Sequence, residues 1–299
     1  MNNYHLNFNS MDITVELVKS LIASQFPRFQ SLDIYPVEKS GYDNRTFHLG
    51  DNMTVRLPSG EGYAAQVEKE SRWLPYLSRH LDFPISKPLY MGEPDCGYPY
   101  PWSINAWIPG ETLFECTVLD RKELAAELAE ALKKLQSVDC TGGPHGALHN
   151  YYRGCDLKIY HKQTMDALEQ LSGRLPTQKL LSIWMKCISK EYEGQDVWVH
   201  GDIAPGNILV MNGKFYGLID FGVLGTGDPA CDYAMAWTYF SPEERKYFLK
   251  GLPEDMIDRA RGWALWKALI TYDDENTDFK ANAHSTIDEI LKESEERNR

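Results

Sequence analysis

Asp202, Asn207 and Asp220 are the residues whose types and spacing promise chemistry. Asp202 and Asn207 stand in His200-Gly201-Asp202-Ile203-Ala204-Pro205-Gly206-Asn207, and Asp220 in Gly217-Leu218-Ile219-Asp220-Phe221-Gly222. Two carboxylates and an amide offer hard oxygens, which magnesium prefers, while leaving room for phosphate and water. Phosphoryl transfer asks little more of a protein than a hydroxyl aimed at phosphorus, metal ions bridging phosphate oxygens, and a dry site that keeps them in line. In that chemistry Asp202 accepts the hydroxyl proton or orients the hydroxyl, and Asn207 and Asp220 hold the metal. Gly201 and Gly206 flank the loop where the backbone must bend closely, and Pro205 stiffens the approach to Asn207. Each residue alone more often makes an ordinary turn; the combination is what carries weight.

Each of these side chains sits at the end of a predicted strand, drawn from the apolar runs at 196–199, 208–211 and 215–219. Upstream, apolar residues at helical intervals behind an acidic cap predict a helix over 12–25. Strand-like runs follow at 32–38, 46–49 and 53–57, then a long helix over 63–81 that Pro75 should kink or end. Two more strands, at 88–91 and 102–108, complete a small antiparallel sheet with one helix packed on it. Beyond Pro109-Gly110 the pattern turns helical: 120–137 is strongly amphipathic, and further helices are expected at 156–172, 177–192, 230–239, 242–249 and 254–272. A partly frayed helix over 285–299 ends the chain. The fold class is α+β in two lobes, residues 1–105 and residues 106–299, with a hinge at 103–110.

A chain of 299 residues can bury a core in each lobe, and 43% hydrophobic with 25% charged residues is ordinary globular composition. No apolar run approaches the roughly 18 to 20 residues that span a bilayer. The N-terminus has neither a basic region nor an apolar stretch after it, so a cytoplasmic location is expected. Six scattered cysteines without a Cys-x-x-Cys pair give little support to a zinc site or a disulfide framework. A net charge of -12 argues against a nucleic-acid partner and suits a cationic ligand.

Asp228-Pro229-Ala230-Cys231-Asp232 precedes another apolar run, with Asp228 as helix cap and Pro229 at the first helical position. Asp232 either braces the backbone of the 200–207 loop or simply favours a helix start.

At these residues the chain resembles the aminoglycoside phosphotransferase family, relatives of the protein kinases. That family's His-Gly-Asp, following Asn, Ile-Asp-Phe or Ile-Asp-Trp metal turn, and later Asp-Pro with a second Asp match this chain position by position. The matching residues are His200-Gly201-Asp202, Asn207, Ile219-Asp220-Phe221-Gly222 and Asp228 to Asp232. The resemblance implies a two-lobed protein-kinase-like fold with nucleotide in the cleft. It implies Asp202 as the catalytic residue, Asn207 and Asp220 as magnesium ligands, and ATP or GTP as phosphate donor.

It also implies that Arg56 stands where the family usually places a phosphate-binding Lys, with Glu70 as its partner and Glu68 as the competitor for that role. Arg meets phosphate through a planar fork rather than a compact ammonium. The chain has no Gly-x-Gly-x-x-Gly loop; Ser40-Gly41-Tyr42-Asp43-Asn44 stands between two strands instead, with backbone amides and Ser40 or Asn44 over the phosphates. Main-chain groups of Ala106 and Ile108 are expected to meet the purine edge.

The expected acceptor is a small-molecule hydroxyl, first an aminoglycoside-type antibiotic. Asp273, Asp274, Glu275 and Asp278, with Trp237, Tyr239, Trp263, Trp266 and Tyr272, are the candidate pocket residues. The alternatives are a macrolide or other small-alcohol kinase and, from a different class, a catalytically silent nucleotide-binding module. The oligomeric state stays open.

Overall fold

The computed structural model describes residues 12–38, 41 and 43–297. It is a mixed helix and sheet protein that divides into two compact units. The first takes the chain through Gly110 and also Gly217–Gly222; the second takes Glu111–Tyr216 and Val223–Arg299.

The first unit opens with α1 (Val15–Gln25), where Thr14, rather than the acidic Asp12, caps the helix by accepting from the Leu17 amide at 3.2 Å. Strands β1 (Ile34–Pro36), β2 (Asn44–Leu49) and β3 (Met53–Pro58) precede α2 (Glu61–Leu77), and β4 (Pro88–Gly92) and β5 (Trp102–Ala106) follow it. They make one five-stranded antiparallel sheet in the order β1-β2-β3-β5-β4. Val18, Leu21 and Ile22 of α1, one helical stripe, bury against Phe47, Leu49, Val55, Leu57, Trp102 and Ile104 of the sheet. Fully burying each large apolar side chain contributes about 1.5–3 kcal/mol.

Pro75 does not end α2; the helix runs two residues beyond it. Leu74 and Leu77 continue the buried stripe of Val67 and Glu70, so packing holds the last turn despite the missing donor. The sheet register places Thr46 and Ser103 on either side of Arg56, which fixes that arginine within β3.

The second unit contains β6 (Glu111–Thr112), α3 (Arg121–Gln136), α4 (His161–Gln170), α5 (Thr177–Cys187), β7 (Val197–Val199) and β8 (Ile208–Met211). Strand β9 (Lys214–Leu218) starts there and ends in the Gly217–Gly222 segment of the first unit. Next come β10 (Gly225–Gly227), α6 (Met235–Thr238), α7 (Pro242–Phe248), α8 (Glu254–Ile270) and α9 (Thr277–Arg297). Helix α3 has the predicted bounds because Asp120 accepts from the Lys122 and Glu123 amides at its start.

Several helical expectations change: the span 156–172 is a 3-10 turn, Leu157–Tyr160, followed by α4, and α5 stops at Cys187 rather than 192. Over 230–239 the chain makes a 3-10 turn, Pro229–Tyr233, and then only the four residues of α6. The turn directs Asp232 away from its own segment and onto residues 200 and 201. At the C-terminus α9 starts eight residues earlier than expected, because Asn276 accepts from the Asp278 and Phe279 amides. It stays regular to Arg297, held by Trp237 to Glu293 at 2.8 Å, Arg261 to Glu293 at 2.9 Å and Arg297 to Glu254 at 2.5 Å. No helix among the described residues is long and apolar enough to cross a membrane.

Candidate active site

Strand β7 delivers the chain to His200, whose side chain is buried, and the loop 200–207 then leads into β8. Asp232 fixes the entry to this loop: its two oxygens accept from the His200 amide at 2.8 Å and the Gly201 amide at 2.7 Å. Burial pushes the Asp232 carboxyl above its usual range, and the positive charges and amide donors around it pull the other way. The next peptide is also held, since the Asp202 amide donates to His200 Nδ1 at 3.2 Å.

Asn207 closes the loop. Its Nδ2 donates to the Asp202 carbonyl at 2.9 Å and to Asp202 Oδ2 at 2.8 Å. The amide nitrogen is therefore committed to Asp202, and among the described residues Asn207 Oδ1, a hard oxygen, has no hydrogen-bond partner. Gly201 has φ +85, and a Cβ there would sit 2.7 Å from the Val223 carbonyl oxygen, so only glycine fits. Gly206 differs from expectation: it meets nothing within 4 Å and needs no left-handed backbone, so the loop's tight bend lies at Gly201 alone.

In the first unit, Arg56 joins two acids. Nη1 lies 3.2 and 3.1 Å from the two Glu70 oxygens, and Nη2 lies 3.0 Å from Asp220 Oδ1. Glu70 rather than Glu68 is the partner, because Glu70 is buried on the sheet side of α2 and Glu68 faces solvent. Burial works against the Arg56 charge, but Glu70 and Asp220 outweigh it and hold the guanidinium above its ordinary range. Burial pushes the Glu70 carboxyl up while Arg56 pulls it back.

Asp220 itself has φ +62, a left-handed conformation that costs a non-glycine residue and is typically found at functional sites. Among the described residues nothing but Arg56 bonds its carboxylate, so Oδ2 remains as a second hard oxygen.

Gln66 of α2 packs under the same turn. Its Nε2 donates to Asp43 Oδ2 at 3.0 Å, and its Oε1 lies 2.6 Å from where a Cβ on Gly222 would stand. The Asp43 carbonyl accepts from the Ser59 amide at 2.8 Å, which ties the loop before β2 to the end of β3. Asn44 is buried across from Pro58, and Ser40 lies outside the described residues. The Ala106 amide donates to the Lys87 carbonyl at 3.3 Å and is not available to a purine; Ile108 is buried.

Most of the proposed acceptor residues are buried or bonded to other protein groups. Asp273 is forked by Arg174 at 2.6 and 2.7 Å, and Asp274 accepts from the Asn276 amide at 2.9 Å. Trp237, Trp263 and Trp266 are buried, Tyr239 bonds Arg121 at 2.7 Å, and Tyr272 stacks on His284 at 4.0 Å. Glu275 and Asp278 face solvent.

Sequence reasoning missed three arginines. Arg259 of α8 makes a buried ion pair with Asp228 at 2.7 Å, so Asp228 both caps Ala230 and anchors α8. Arg261 bonds Asp258 and Glu293. Arg153 donates from Nε to the Gly201 carbonyl at 2.9 Å. No local pattern marks any of them.

A model of the phosphotransferase enzyme family matches residues 36–268, and the chain belongs to that family. Family membership makes the chain a phosphotransferase that acts on a hydroxyl group. Relatives include the protein YcbJ of Bacillus subtilis (strain 168), 23% identical over 288 residues that cover 86% of each chain. An aminoglycoside 3'-phosphotransferase of Escherichia coli is 25% identical over 213 residues, 68% of this chain and 75% of that one. The GDP complex of wild-type aminoglycoside 2'-phosphotransferase-IIIa shares the fold with a TM-score of 0.71 at 17% identity, covering 94% of this chain and all of that one. Macrolide 2'-phosphotransferase MphH from Brachybacterium faecium shares it with a TM-score of 0.59 at 17% identity, over 91% and 97% of the two chains.

Proposed function

We propose that this chain moves the γ-phosphate of ATP or GTP, with magnesium, onto a hydroxyl of a small molecule. The observation that carries this reading is the Asp202–Asn207 contact of 2.8 Å in a loop whose two leading amides are anchored on Asp232. A carboxylate that must receive a proton at a fixed point needs such pre-organisation.

Asp202 is the catalytic residue in this reading. The acceptor oxygen forms its bond to γ-phosphorus, the bond from that phosphorus to the β,γ-bridging oxygen breaks, and the hydroxyl proton passes to Asp202. Arg56 binds phosphate oxygens and Glu70 aims it. Asn207 and Asp220 are assigned to magnesium: among the described residues each keeps one oxygen outside its protein bonds, and hard oxygen is the donor that ion prefers. Bound there, the ion would neutralise charge on the transferring phosphate. Ser40, Asn44 and the amides beside them are assigned to the phosphates, and main-chain groups of Ile108 and of Ala106, apart from the Ala106 amide, to the base.

An aminoglycoside-type antibiotic is the first acceptor to test. Two relatives carry an aminoglycoside 3'-phosphotransferase name, and a net charge of -12 attracts polycations. A macrolide or other small alcohol is the alternative. A cytoplasmic site of action is supported by the absence of disulfides among the described cysteines.

The test is purified protein with ATP and GTP in parallel against aminoglycosides, macrolides and simple alcohols, with and without magnesium. Magnesium-dependent transfer to one class is expected, falling by about 10²–10⁴ in Asp202→Asn. Nucleotide-induced stabilisation without turnover on any acceptor or on water would show a silent binding module instead.

A further inference from the structure

Both ends of the Gly201–Asp202 peptide are held. Its carbonyl accepts from Arg153 Nε at 2.9 Å, and its amide donates to His200 Nδ1 at 3.2 Å. The preceding amide, that of Gly201, donates to Asp232 Oδ1 at 2.7 Å. Gly201 thus stands between a carboxylate on one side and a guanidinium on the other. Charge-assisted bonds of this kind are roughly twice as strong as neutral ones.

Arg153 is itself built in. Its Nη1 donates to the Tyr151 carbonyl at 3.2 Å, and the guanidinium carbon lies 5.1 Å from the Trp263 ring and 5.3 Å from the Trp266 ring, both on α8. The Arg153 carbonyl accepts from Nδ2 of the fully buried Asn150 at 2.9 Å. A Cβ at Gly201 would sit 3.1 Å from Arg153 Cβ and Cγ, so the loop rests on the arginine stem.

The segment before Arg153 is strained. Tyr151 and Tyr152 both take left-handed backbone, with φ of 50 and 56. Such conformations cost about 1–3 kcal/mol each and persist only where the surroundings enforce them. Here the enforcing bonds converge on the Tyr151 carbonyl, which accepts from Arg153 and from the Tyr160 hydroxyl at 2.6 Å.

We infer that Arg153 is a positioning residue for phosphoryl transfer: by fixing the plane of the Gly201–Asp202 peptide it aims the Asp202 carboxylate, without touching it. The inference rests on the reading of Asp202 as the group that receives the acceptor proton. Rotating that peptide swings the Asp202 side chain, and a misplacement of about 1 Å costs on the order of 10²-fold in rate.

The experiment compares full-length wild type, Arg153→Lys and Arg153→Ala in transfer to an acceptor, or to water where no acceptor is found. Arg153→Ala should lose about 10–100-fold in kcat with the nucleotide KM changed by less than about two-fold. Arg153→Lys keeps charge and stem but not the fork, and should recover part of the loss. Added guanidinium ion should raise the rate of Arg153→Ala and leave wild type unaffected. Wild-type kcat in a folded Arg153→Lys or Arg153→Ala overturns the inference. So does a loss that matches the unfolded fraction and ignores guanidinium. Failure of the underlying reading looks different: Asp202→Asn would then turn over like wild type.

Discussion

Arg56 holds Glu70 with one guanidinium nitrogen and Asp220 with the other, so a single side chain links α2 to the turn that follows β9. The three groups have unequal surroundings: Arg56 and Glu70 are nearly inaccessible, while the Asp220 side chain is 39% exposed. The buried pair is the structural half of this link and the exposed carboxylate the adaptable half.

Replacing Arg56 separates these halves. Arg56→Ala leaves Glu70 buried and unpaired, and should destabilise the protein by about 3–5 kcal/mol in urea denaturation. Arg56→Lys keeps the charge but offers one ammonium in place of a fork. It should retain more of the stability yet raise the nucleotide KM, by roughly the tenfold that about 1.4 kcal/mol represents. An unchanged KM in Arg56→Lys would remove Arg56 from the phosphate site.

Asp232 gives a second test. Asp232→Asn keeps the shape but replaces the carboxylate that accepts two amides. One amide loses its acceptor inside the protein, at a cost of about 1–3 kcal/mol. A fall in kcat should accompany the lower stability, because the same bonds set the loop that carries Asp202. Equal stability in the variant would mean that the loop is held by other contacts.

The Asp228–Arg259 pair calls for a double-mutant cycle. Arg259→Met alone strands a buried carboxylate and should cost about 3–5 kcal/mol. Asp228→Asn added to it keeps the acceptor for the Ala230 amide, removes the charge, and should recover most of that loss. Additive losses across the cycle would show that the pair contributes nothing beyond its parts.

Lys69 predicts a pH effect. Desolvation pushes its pKa down to about 8, against the pull of Glu70. Since an unfolded lysine titrates near 10.4, the unfolded chain binds more protons between about pH 8 and 10.4. Stability should therefore rise with pH across that window from this group. Lys69→Met should flatten the rise, measured as midpoint against pH; the same slope in both proteins would remove Lys69 as its source.

What the sequence made legible was local. The amphipathic helix α3, the Asp228-Pro229 start and the strand ends beneath Asp202 and Asp220 follow from residues a few positions apart. The partners that complete the site are remote: Arg259 lies 31 residues from Asp228, and Arg153 lies 48 from Gly201. An arginine in an irregular segment or a helix carries no periodic signal, and only the folded chain shows what it reaches. Asp232 lay between these cases, readable as a cap or as a brace until its two amide contacts were seen. At Pro75 the helix continues for two more residues, because buried leucines on both sides of it outweigh its local preference.

The grouping of Gly217–Gly222 with the first unit has a genetic corollary. An amino-terminal fragment stopping at Gly110 would be missing the carboxylate that Arg56 grips and the amide that Leu218 gives to the Pro84 carbonyl. Recombination at that junction leaves Arg56 with Glu70 alone and without Asp220, unless the later hexapeptide travels with the fragment.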